Sequence, residues 1–383
     1  MRDAVIVEAV RTPVARRRGG LSGIHPADLS AHVLRALVDR TGLDPALVDD
    51  VVWGCVSQVG EQAVNIGRSA VLAAGWPDSV PATTVDRQCG SSQQALHFAA
   101  AAVVSGQCEV VVAGGVESMS RVPMGSSVGS GVGMPYGPLV MERYGGVPFN
   151  QGVGAEMMVE RWGLSRAQLD DFSLSSHARA AAAQDAGAFE AEIAPVPLPD
   201  GTVVSADEGI RRDTTLEALA GLKTPFKEGG AVTAGSSSQI SDGAAALLVT
   251  SSGRAARLGL TPLARVHTAV LAAADPVIML TAPIPATEKA LKRSGLAIGD
   301  IGAIEVNEAF APVPLAWLAE TGADPAVLNA RGGAIALGHP LGGSGARLLT
   351  TLVHRMRADE ARYGLQTMCE GGGMANATIL ERL

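Results

Sequence analysis

The sequence predicts an α/β protein made of two related halves, and three observations lead to this prediction. Short apolar runs alternate with helical patterns as far as residue 117, and the same alternation returns after residue 262. The chain has 383 residues, 47% hydrophobic and 18% charged, which suits a large core but exceeds one ordinary domain. The segment between the halves lacks the alternation. We therefore expect halves at 1–117, completed by 240–261, and at 262–383, with an insertion at 118–239.

The first half begins with an apolar strand at residues 4–7. A helix is predicted at 26–40 because Leu29, Val33 and Leu37 share one face at helical spacing. The pattern then continues with strands at 51–53, 83–85 and 109–113 and helices at 65–74 and 92–104. The resulting order is β-α-β-α-β-α-β.

The second half repeats this order. Its strands are predicted at 264–270, 301–306, 365–369 and 375–380, and its helices at 286–294, 309–320 and 346–357. Prolines interrupt the helix at 309–320. A fold built from two such α/β/α halves has pseudo-twofold symmetry, so equivalent points of the halves are brought together.

The insertion is expected to form a cap. A helix is predicted at 166–184, and prolines at 195, 197 and 199 end that pattern. The glycine-rich stretch at 125–133 has one alternative interpretation as a dinucleotide fingerprint. No strand precedes it and no apolar helix follows at once, which favours a loop.

Charge and cysteine content limit the possible functions. The net charge of -8 has no basic block to offset it, so a nucleic-acid surface is not expected, and a polyphosphate ligand would need a local basic pocket. The four cysteines lack C-x-x-C spacing, which argues against a disulfide framework and a zinc site. No apolar run reaches the roughly 18 residues of a membrane span. We expect a cytoplasmic protein with no membrane segment and no metal.

Three residues carry the candidate chemistry. Cys89 stands in the motif DRQCGSS before the helix at 92–104, and His339 stands in GHPLGGSG before the helix at 346–357. Cys369 stands in TMCEGGG, at the end of a strand. These residues suit a nucleophile, its base and a second thiol acid or base. A helix N-terminus and a nearby imidazole are expected to lower the pKa of the Cys89 thiol.

Each of these residue types also has a purely structural interpretation. A free cysteine is most often a small buried hydrophobe, and we favour that role for Cys55 and Cys108 but not for Cys89. His97 lies inside an alanine-rich helix, which indicates a packing or solvated residue. The same interpretation applies to His25, His32, His177, His267 and His354.

Six motifs occur in an order that identifies a family. They are CGSS at 89–92, GGVESMS at 114–120, AGSSSQISDGAAA at 234–246, NEAF at 307–310, GGAIALGHP at 332–340 and CEGGG at 369–373. Through them the sequence resembles thiolases from residue 5 to residue 383. The resemblance implies a duplicated five-layer α/β/α/β/α fold whose inserted loop domain covers coenzyme A. It also implies acyl-CoA and coenzyme A as substrates, no permanently bound cofactor, and a homodimer or homotetramer.

The resemblance further implies a role for each catalytic residue. Cys89 would accept the acyl group, His339 would take its proton, and Cys369 would act as acid and base at the α-carbon of acetyl-CoA. Asn307 would hold a water that forms an oxyanion hole with His339. The backbone N–H groups of Cys89 and Gly371 would form a second oxyanion hole.

Contacts to coenzyme A and departures from the family pattern complete the comparison. Ser238 matches a serine near the pantetheine arm, and Arg211 matches an arginine against the adenine, although a solvated loop arginine is an alternative. Asp86 and Arg331 stand where the family usually has asparagines. Asn150 replaces a histidine typical of short-chain synthetic thiolases, which argues against an acetoacetyl-specific enzyme.

The sequence therefore predicts a thiolase that cleaves 3-ketoacyl-CoA in fatty-acid β-oxidation. One alternative is an acetoacetyl-CoA thiolase that condenses two acetyl-CoA molecules. Another is a non-catalytic acyl-CoA- or sterol-binding relative, which is expected to lack Cys89, His339 or Cys369, and all three are present. Cys369 argues against a decarboxylating enzyme, which needs no base at that carbon. An α/β hydrolase is not expected because no Gly-x-Ser-x-Gly motif has a strand-turn-helix setting.

Overall fold

The computed structural model describes residues 2–128, 131 and 133–383. Residues 129, 130 and 132 of the predicted glycine-rich loop lie outside the described residues, and 125–128 form turns and a bend. The strands are β1 (Val5–Arg11), β2 (Ala15–Arg16), β3 (Asp50–Gly54), β4 (Ala82–Val85), β5 (Val110–Ser118), β6 (Val196–Pro197), β7 (Val203–Val204), β8 (Ser241–Thr250), β9 (Ala264–Ala273), β10 (Ile301–Val306), β11 (Tyr363–Glu370) and β12 (Met374–Arg382). The helices are α1 (Pro26–Thr41), α2 (Ile66–Ala73), α3 (Ser91–Ser105), α4 (Pro138–Arg143), α5 (Gln151–Trp162), α6 (Arg166–Asp185), α7 (Leu216–Ala220), α8 (Ser252–Arg257), α9 (Pro283–Ser294), α10 (Pro312–Thr321), α11 (Ala334–Leu337) and α12 (Leu341–Ala358).

The sheet contains the same topology twice. Strands β4, β3, β5, β8 and β1 lie side by side in that order, and β10, β11, β12 and β9 follow the same course in the second half. In the first half, β3 pairs in parallel with β5, and β5 pairs antiparallel with β8. In the second half, β10 pairs in parallel with β11, and β11 pairs antiparallel with β12. Leu328 bridges in parallel to Ile304 where the first half has β4. The two half-sheets are joined by a short pairing of β1 with β9. The repeated strand order confirms the predicted duplication.

Alternating burial along the strands separates the helical layers. Residues of β8 contribute in turn to two cores: Ala244, Ala246 and Leu248 to an outer one, and Ala245, Leu247 and Val249 to a central one. The outer core of the first half includes α1 and α2, and the central core contains α3 and α12. A third core packs α9, α10 and α5 on the outer face of the second half-sheet. Helices and half-sheets therefore alternate as five layers.

Two helices in the insertion follow from clear capping signals. The predicted helix at 166–184 is α6, whose N-terminus has a capping box between Ser165 and Gln168. Helix α5 was not predicted, although Asn150 caps its start and Gly163 ends it in the left-handed conformation (φ 61°).

Among the described residues, no helix has both the length and the apolar character needed to cross a bilayer.

A buried ion-pair network attaches the insertion to the first half. Arg11 in β1 is fully buried, and its Nε donates to Glu192 Oε1 at 2.7 Å. Its two terminal nitrogens donate to the two oxygens of Asp207 at 2.7 and 2.9 Å. A bidentate arginine–carboxylate pair has defined geometry as well as charge. Glu192 and Asp207 are thereby tied to β1.

Candidate active site

Cys89 lies in the loop that joins β4 to α3. Gln88 has a left-handed backbone (φ 50°), which is stabilised because its N–H donates to Asp86 Oδ1 at 2.6 Å. The Arg87 N–H donates to Ser91 Oγ at 3.0 Å, which closes the loop onto the first turn of α3. Cys89 is 3% exposed and packs near Leu341. Asp86, a departure from the family pattern, therefore provides an acceptor that stabilises the loop of Cys89.

His339 lies between α11 and α12 at the equivalent point of the second half. Gly338 precedes it with φ 98°, and a Cβ at that position would overlap Ser241 Oγ, so glycine is required. His339 Nδ1 lies 2.6 Å from Ser344 Oγ, and that hydroxyl donates to Pro340 O at 2.8 Å. The hydroxyl oxygen must then accept from Nδ1–H. The Nε2 atom is left without a proton and can act as a base.

Asn307 follows β10 and is fully buried beside His339. Its Nδ2 lies 3.4 Å from His339 Nε2, and its backbone N–H donates to Thr367 O at 3.1 Å. Within the part of the chain that is described, its Oδ1 has no hydrogen-bond partner. A fully buried amide oxygen without a partner is available to a water or a substrate group.

Cys369 and Gly371 lie at the end of β11 and in the turn that follows. Cys369 is 1% exposed, and burial together with the neighbouring Cys89 raises its pKa well above the usual thiol value. A Cβ on Gly371 would lie 2.9 Å from Gln88 Oε1. The turn after β11 therefore contacts the loop of Cys89, and the two thiols are neighbours.

The pKa values of Cys89 and His339 are shifted in opposite directions. Burial, reinforced by the carboxylate of Glu370, raises the pKa of Cys89 to about 12. Burial and the charge of Arg347 lower the pKa of His339 to about 3. The expectation of a lowered Cys89 pKa is wrong for this structure, because desolvation and nearby carboxylates outweigh the helix N-terminus. The proton rests on sulfur and the imidazole is neutral.

One cavity of about 730 Å³ is lined by three of the predicted residues, but Cys89, Cys369, Asn307 and Gly371 are not among its lining residues. His339, Ser238 and Arg211 line it, as does Leu341, which packs against Cys89. Ser238 N–H donates to Ala309 O at 2.9 Å, and Arg211 N–H donates to His177 Nδ1 at 3.1 Å. Both residues are held by their backbones, which leaves their side chains facing the cavity.

Several cavity residues were not identified from the sequence. Arg16 and Arg17 are exposed, and their side chains have no ion pair or hydrogen bond within the described residues. With Arg211 they bring three positive charges to the cavity against the one carboxylate of Glu208, which gives the excess positive charge that a polyphosphate would require in an acidic protein. Their signal was the arginine run at 16–18. Other lining residues are Met119, Met124, Gln151, Phe226 and Phe310.

The remaining departures and thiols have structural roles. Asn150 Oδ1 accepts from Gly152 N–H at 2.9 Å and from Val153 N–H at 3.1 Å. Arg331 Nη1 donates to Ala188 O at 3.0 Å. All four cysteines are free, and Cys55 is fully buried in the outer core of the first half.

Comparison with known proteins assigns the family. The description "Thiolase, N-terminal domain" matches residues 4–253, and "Thiolase, C-terminal domain" matches residues 260–382. The chain belongs to the thiolase family. It is an acyltransferase with the five-layer thiolase fold that the resemblance implied.

Thiolases from several bacteria match the whole chain. It is 53% identical to a protein of Mycobacterium tuberculosis named steroid 3-ketoacyl-CoA thiolase FadA6, over 100% of this chain and 95% of that protein. It is 46% identical to the 3-ketoacyl-CoA thiolases of Escherichia coli and Erwinia tasmaniensis, in each case over 100% of both chains. The alternative of an unrelated hydrolase is thereby excluded.

Proposed function

We propose that this thiolase cleaves 3-ketoacyl-CoA with coenzyme A, releasing acetyl-CoA and an acyl-CoA shortened by two carbons. The observation that carries the proposal is that His339, which lines a cavity with three arginines, lies beside the buried amide of Asn307, while the buried thiols of Cys89 and Cys369 are neighbours. A second thiol at the reacting centre suits an enzyme that must protonate and deprotonate a carbon atom.

In the first half-reaction, His339 Nε2 accepts the proton of the Cys89 thiol, and the sulfur attacks the 3-keto carbon. The bond between C2 and C3 then breaks, and its electron pair leaves with C2. The Cys369 thiol donates its proton to C2, which releases acetyl-CoA and leaves the shortened acyl group on Cys89. The neutral pair of Cys89 and His339 ionises only when the substrate occupies the site, because burial opposes the separated charges.

In the second half-reaction, the Cys369 thiolate accepts the proton of an incoming coenzyme A thiol. The resulting sulfur anion attacks the acyl carbon on Cys89, and the shortened acyl-CoA leaves. The proton on His339 returns to the Cys89 sulfur, so all three groups regain their starting states. No oxidant, reductant or metal takes part.

Two sets of hydrogen-bond donors would stabilise the negative oxygens of these steps. The unpartnered Oδ1 of Asn307 supports a bound water, which would donate to one oxygen together with protonated His339. The contact of Gly371 with Gln88 supports a second set formed by the backbone N–H groups of Cys89 and Gly371. Each donor of this kind contributes about 3–4 kcal/mol to transition-state stabilisation.

The basic mouth of the cavity suits the phosphates and adenine of coenzyme A. Arg16, Arg17 and Arg211 would contact this end of the molecule, and Ser238 would contact the pantetheine arm. The insertion at 118–239 would cover the substrate. In the same proposal the halves are 1–117, completed by 240–261, and 262–383.

Assembly and location are part of the same proposal. We expect a homodimer or homotetramer in the cytoplasm. Strand β4 lies at the outer edge of the first half-sheet, and Leu72 and Phe98 on the helices around it are about half exposed. Exposed apolar side chains beside an edge strand suit contact with a second copy of the chain.

Degradation is favoured over condensation of two acetyl-CoA molecules. The side chain of Asn150 accepts two backbone N–H groups of α5 and is therefore committed to capping that helix. It does not supply the substrate contact expected of the histidine in short-chain synthetic thiolases. The name of the mycobacterial relative suggests that bulky 3-ketoacyl-CoA esters belong in the test.

The test is thiolysis of a series of 3-ketoacyl-CoA substrates, from acetoacetyl-CoA to long-chain and steroid side-chain esters. We expect turnover to increase beyond acetoacetyl-CoA. We also expect peptide mass spectrometry, after brief exposure to acyl-CoA, to find the acyl group on Cys89. Condensation without thiolysis, or an acyl group on another residue, would contradict the proposal.

A further inference from the structure

Glu370 is a fully buried carboxyl group directly beneath the nucleophile. It follows Cys369 at the end of β11, and since successive strand residues point to opposite faces, it is directed toward the central helices. A Cβ on Gly90 would overlap Glu370 Oε1. The carboxyl group therefore occupies the space under the residue that joins Cys89 to α3.

The nearest polar side chain offers Glu370 an acceptor. Asn376 Oδ1 lies 3.0 Å from the position of a Gly90 Cβ, the same position that Glu370 Oε1 overlaps. The amide nitrogen of Asn376 is directed elsewhere, 3.3 Å from Gln94 Oε1 and 3.2 Å from His97 Nδ1. Neither Asn376 Oδ1 nor the Glu370 oxygens have a hydrogen bond of ordinary geometry within the described residues. A protonated carboxyl can donate to this amide oxygen, whereas a carboxylate cannot.

The charges around Glu370 also favour its neutral form. Burial raises the pKa of Glu370 to about 8; Arg87 and the backbone N–H of Asn376 oppose this shift, and Asp86 adds to it. Facing it from α3 is His97, whose pKa burial lowers to about 3, so it is uncharged. The groups from β12, Met374 and Asn376, do not titrate, and Cys369 on β11 is a thiol.

Ionisation of Glu370 would act directly on both reactive thiols. Its negative charge is one cause of the raised pKa of Cys89 and of Cys369. Buried charges at short range interact strongly because little water screens them. Acyl transfer needs transient negative charge on both sulfurs, so a charged Glu370 opposes each half-reaction.

We propose that Glu370 is a positioning residue for acyl transfer that works as a neutral acid. As a neutral acid it would donate to Asn376 Oδ1 beneath the loop at 88–90, and its lack of charge would permit the Cys89 thiolate to form. The proposal rests on Cys89 being the nucleophile, as proposed above.

The test measures the rate at which iodoacetamide alkylates Cys89 between pH 6 and pH 10, by peptide mass spectrometry, in the wild type, Glu370→Gln and Glu370→Met. We expect the ratio of variant to wild-type rates to be near one at pH 6, where residue 370 is neutral in all three. The ratio should rise to about tenfold by pH 9, equivalent to a shift of about one pKa unit in the thiol. Its midpoint reports the pKa of Glu370.

Asp86→Asn is the matched control, because it also removes a negative charge near Cys89, but an exposed one. Its rate ratio should be constant from pH 6 to pH 10. A constant ratio for both Glu370 variants would overturn the proposal. If neither variant folds, the wild type decides: its logarithmic rate should flatten near pH 8, and a uniform unit slope would contradict the proposal.

Thiolysis at pH 7 tests the hydrogen bond separately. Glutamine can still donate to Asn376 Oδ1, whereas methionine of similar size cannot, so Glu370→Gln should keep a higher kcat than Glu370→Met. Equal losses would refute the bond to Asn376. Alkylation requires no turnover, so an enzyme without thiolase activity would contradict the proposed function and leave the result on Glu370 intact.

Discussion

The N-terminal ends of α3 and α12 hold equivalent places in the two halves but lie in opposite electrostatic surroundings. Cys89 precedes α3 beside the carboxyl groups of Glu370 and Asp86, and its pKa is raised. His339 precedes α12, and burial, with the charge of Arg347 adding to it, lowers its pKa. Burial keeps the thiol protonated and the imidazole neutral, and the charges of Asp86 and Arg347 add to these two shifts.

This contrast shows how a duplicated scaffold acquires two different functional groups. Duplication places two helix N-termini together at the centre of the molecule, with the same strand order around each. Burial, with neighbouring charges adding to it, then keeps the proton on the thiol at one end and leaves the imidazole neutral at the other. The pair is stable as neutral groups and ready for proton transfer once a substrate stabilises the charges.

The largest expected effect comes from replacing the thiol itself. Cys89→Ser should reduce thiolysis by roughly 10⁴-fold or more, because surroundings that raise the pKa of a thiol to about 12 hold an alkoxide further out of reach. Peptide mass spectrometry should find no acyl group at residue 89. Cys108→Ser, a partly buried thiol outside the site, is the control and should keep wild-type turnover. Undiminished turnover of Cys89→Ser would remove the basis of the comparison.

The second thiol should separate acyl transfer from carbon chemistry. Cys369→Ala should still accept an acyl group on Cys89, since His339 can remove that proton without it. Exchange of the α-hydrogens of acetyl-CoA with deuterium from solvent should fall by roughly 10²–10⁴-fold, because the base for that carbon is gone. If Cys369 only packs beneath the glycine turn, exchange will persist and stability will fall by about 1 kcal/mol.

Asn307 tests the side of the site that contains the histidine. Asn307→Ala should lower kcat by roughly 10²–10³-fold, as expected for a lost oxyanion-hole group. Alkylation of Cys89 by iodoacetamide should hardly change, since stabilising the later oxyanion and ionising the thiol are separate tasks. A matching loss in both measurements would mean that Asn307 orients His339 through their 3.4 Å contact.

Replacing Glu305 is expected to have the smallest effect, which is on stability, and the sign of its pH dependence follows from its pKa. It is fully buried on β10, 3.5 Å from Arg355, and burial raises its pKa from 4.5 to about 7. The folded protein then binds a proton that the unfolded chain releases, so this contribution to stability is complete below pH 4.5 and is lost as pH rises through 7.

Glu305→Gln should therefore flatten the decline in stability between pH 5 and pH 8, by up to about 3 kcal/mol. Urea unfolding of both proteins at each pH gives the difference directly. Parallel pH curves would show that Glu305 is already ionised in the folded protein.

Much of this architecture is predictable because its signals are local. Leu29, Val33 and Leu37 predicted the buried face of α1 from spacing alone. The strand predicted at 109–113 continues to Ser118 as β5. Gly114 and Gly115 are required within it because the strand passes close to Trp53 and the backbone of Gly342. That close approach depends on residues distant in the chain, so no local pattern reveals it.

The sequence by itself determined the duplicated fold and the family, and it predicted Cys89, His339, Cys369 and Asn307 as the reacting groups, because spacing, small residues and reactive side chains are visible in it. Only the tertiary structure gave the surroundings that set the pKa values of Cys89 and His339 and the position of Glu370 on which its proposed part rests. The physical reason is that a pKa depends on burial and on charges brought close by folding. A local pattern gives the helix N-terminus beside Cys89, but not the carboxyl group beneath it.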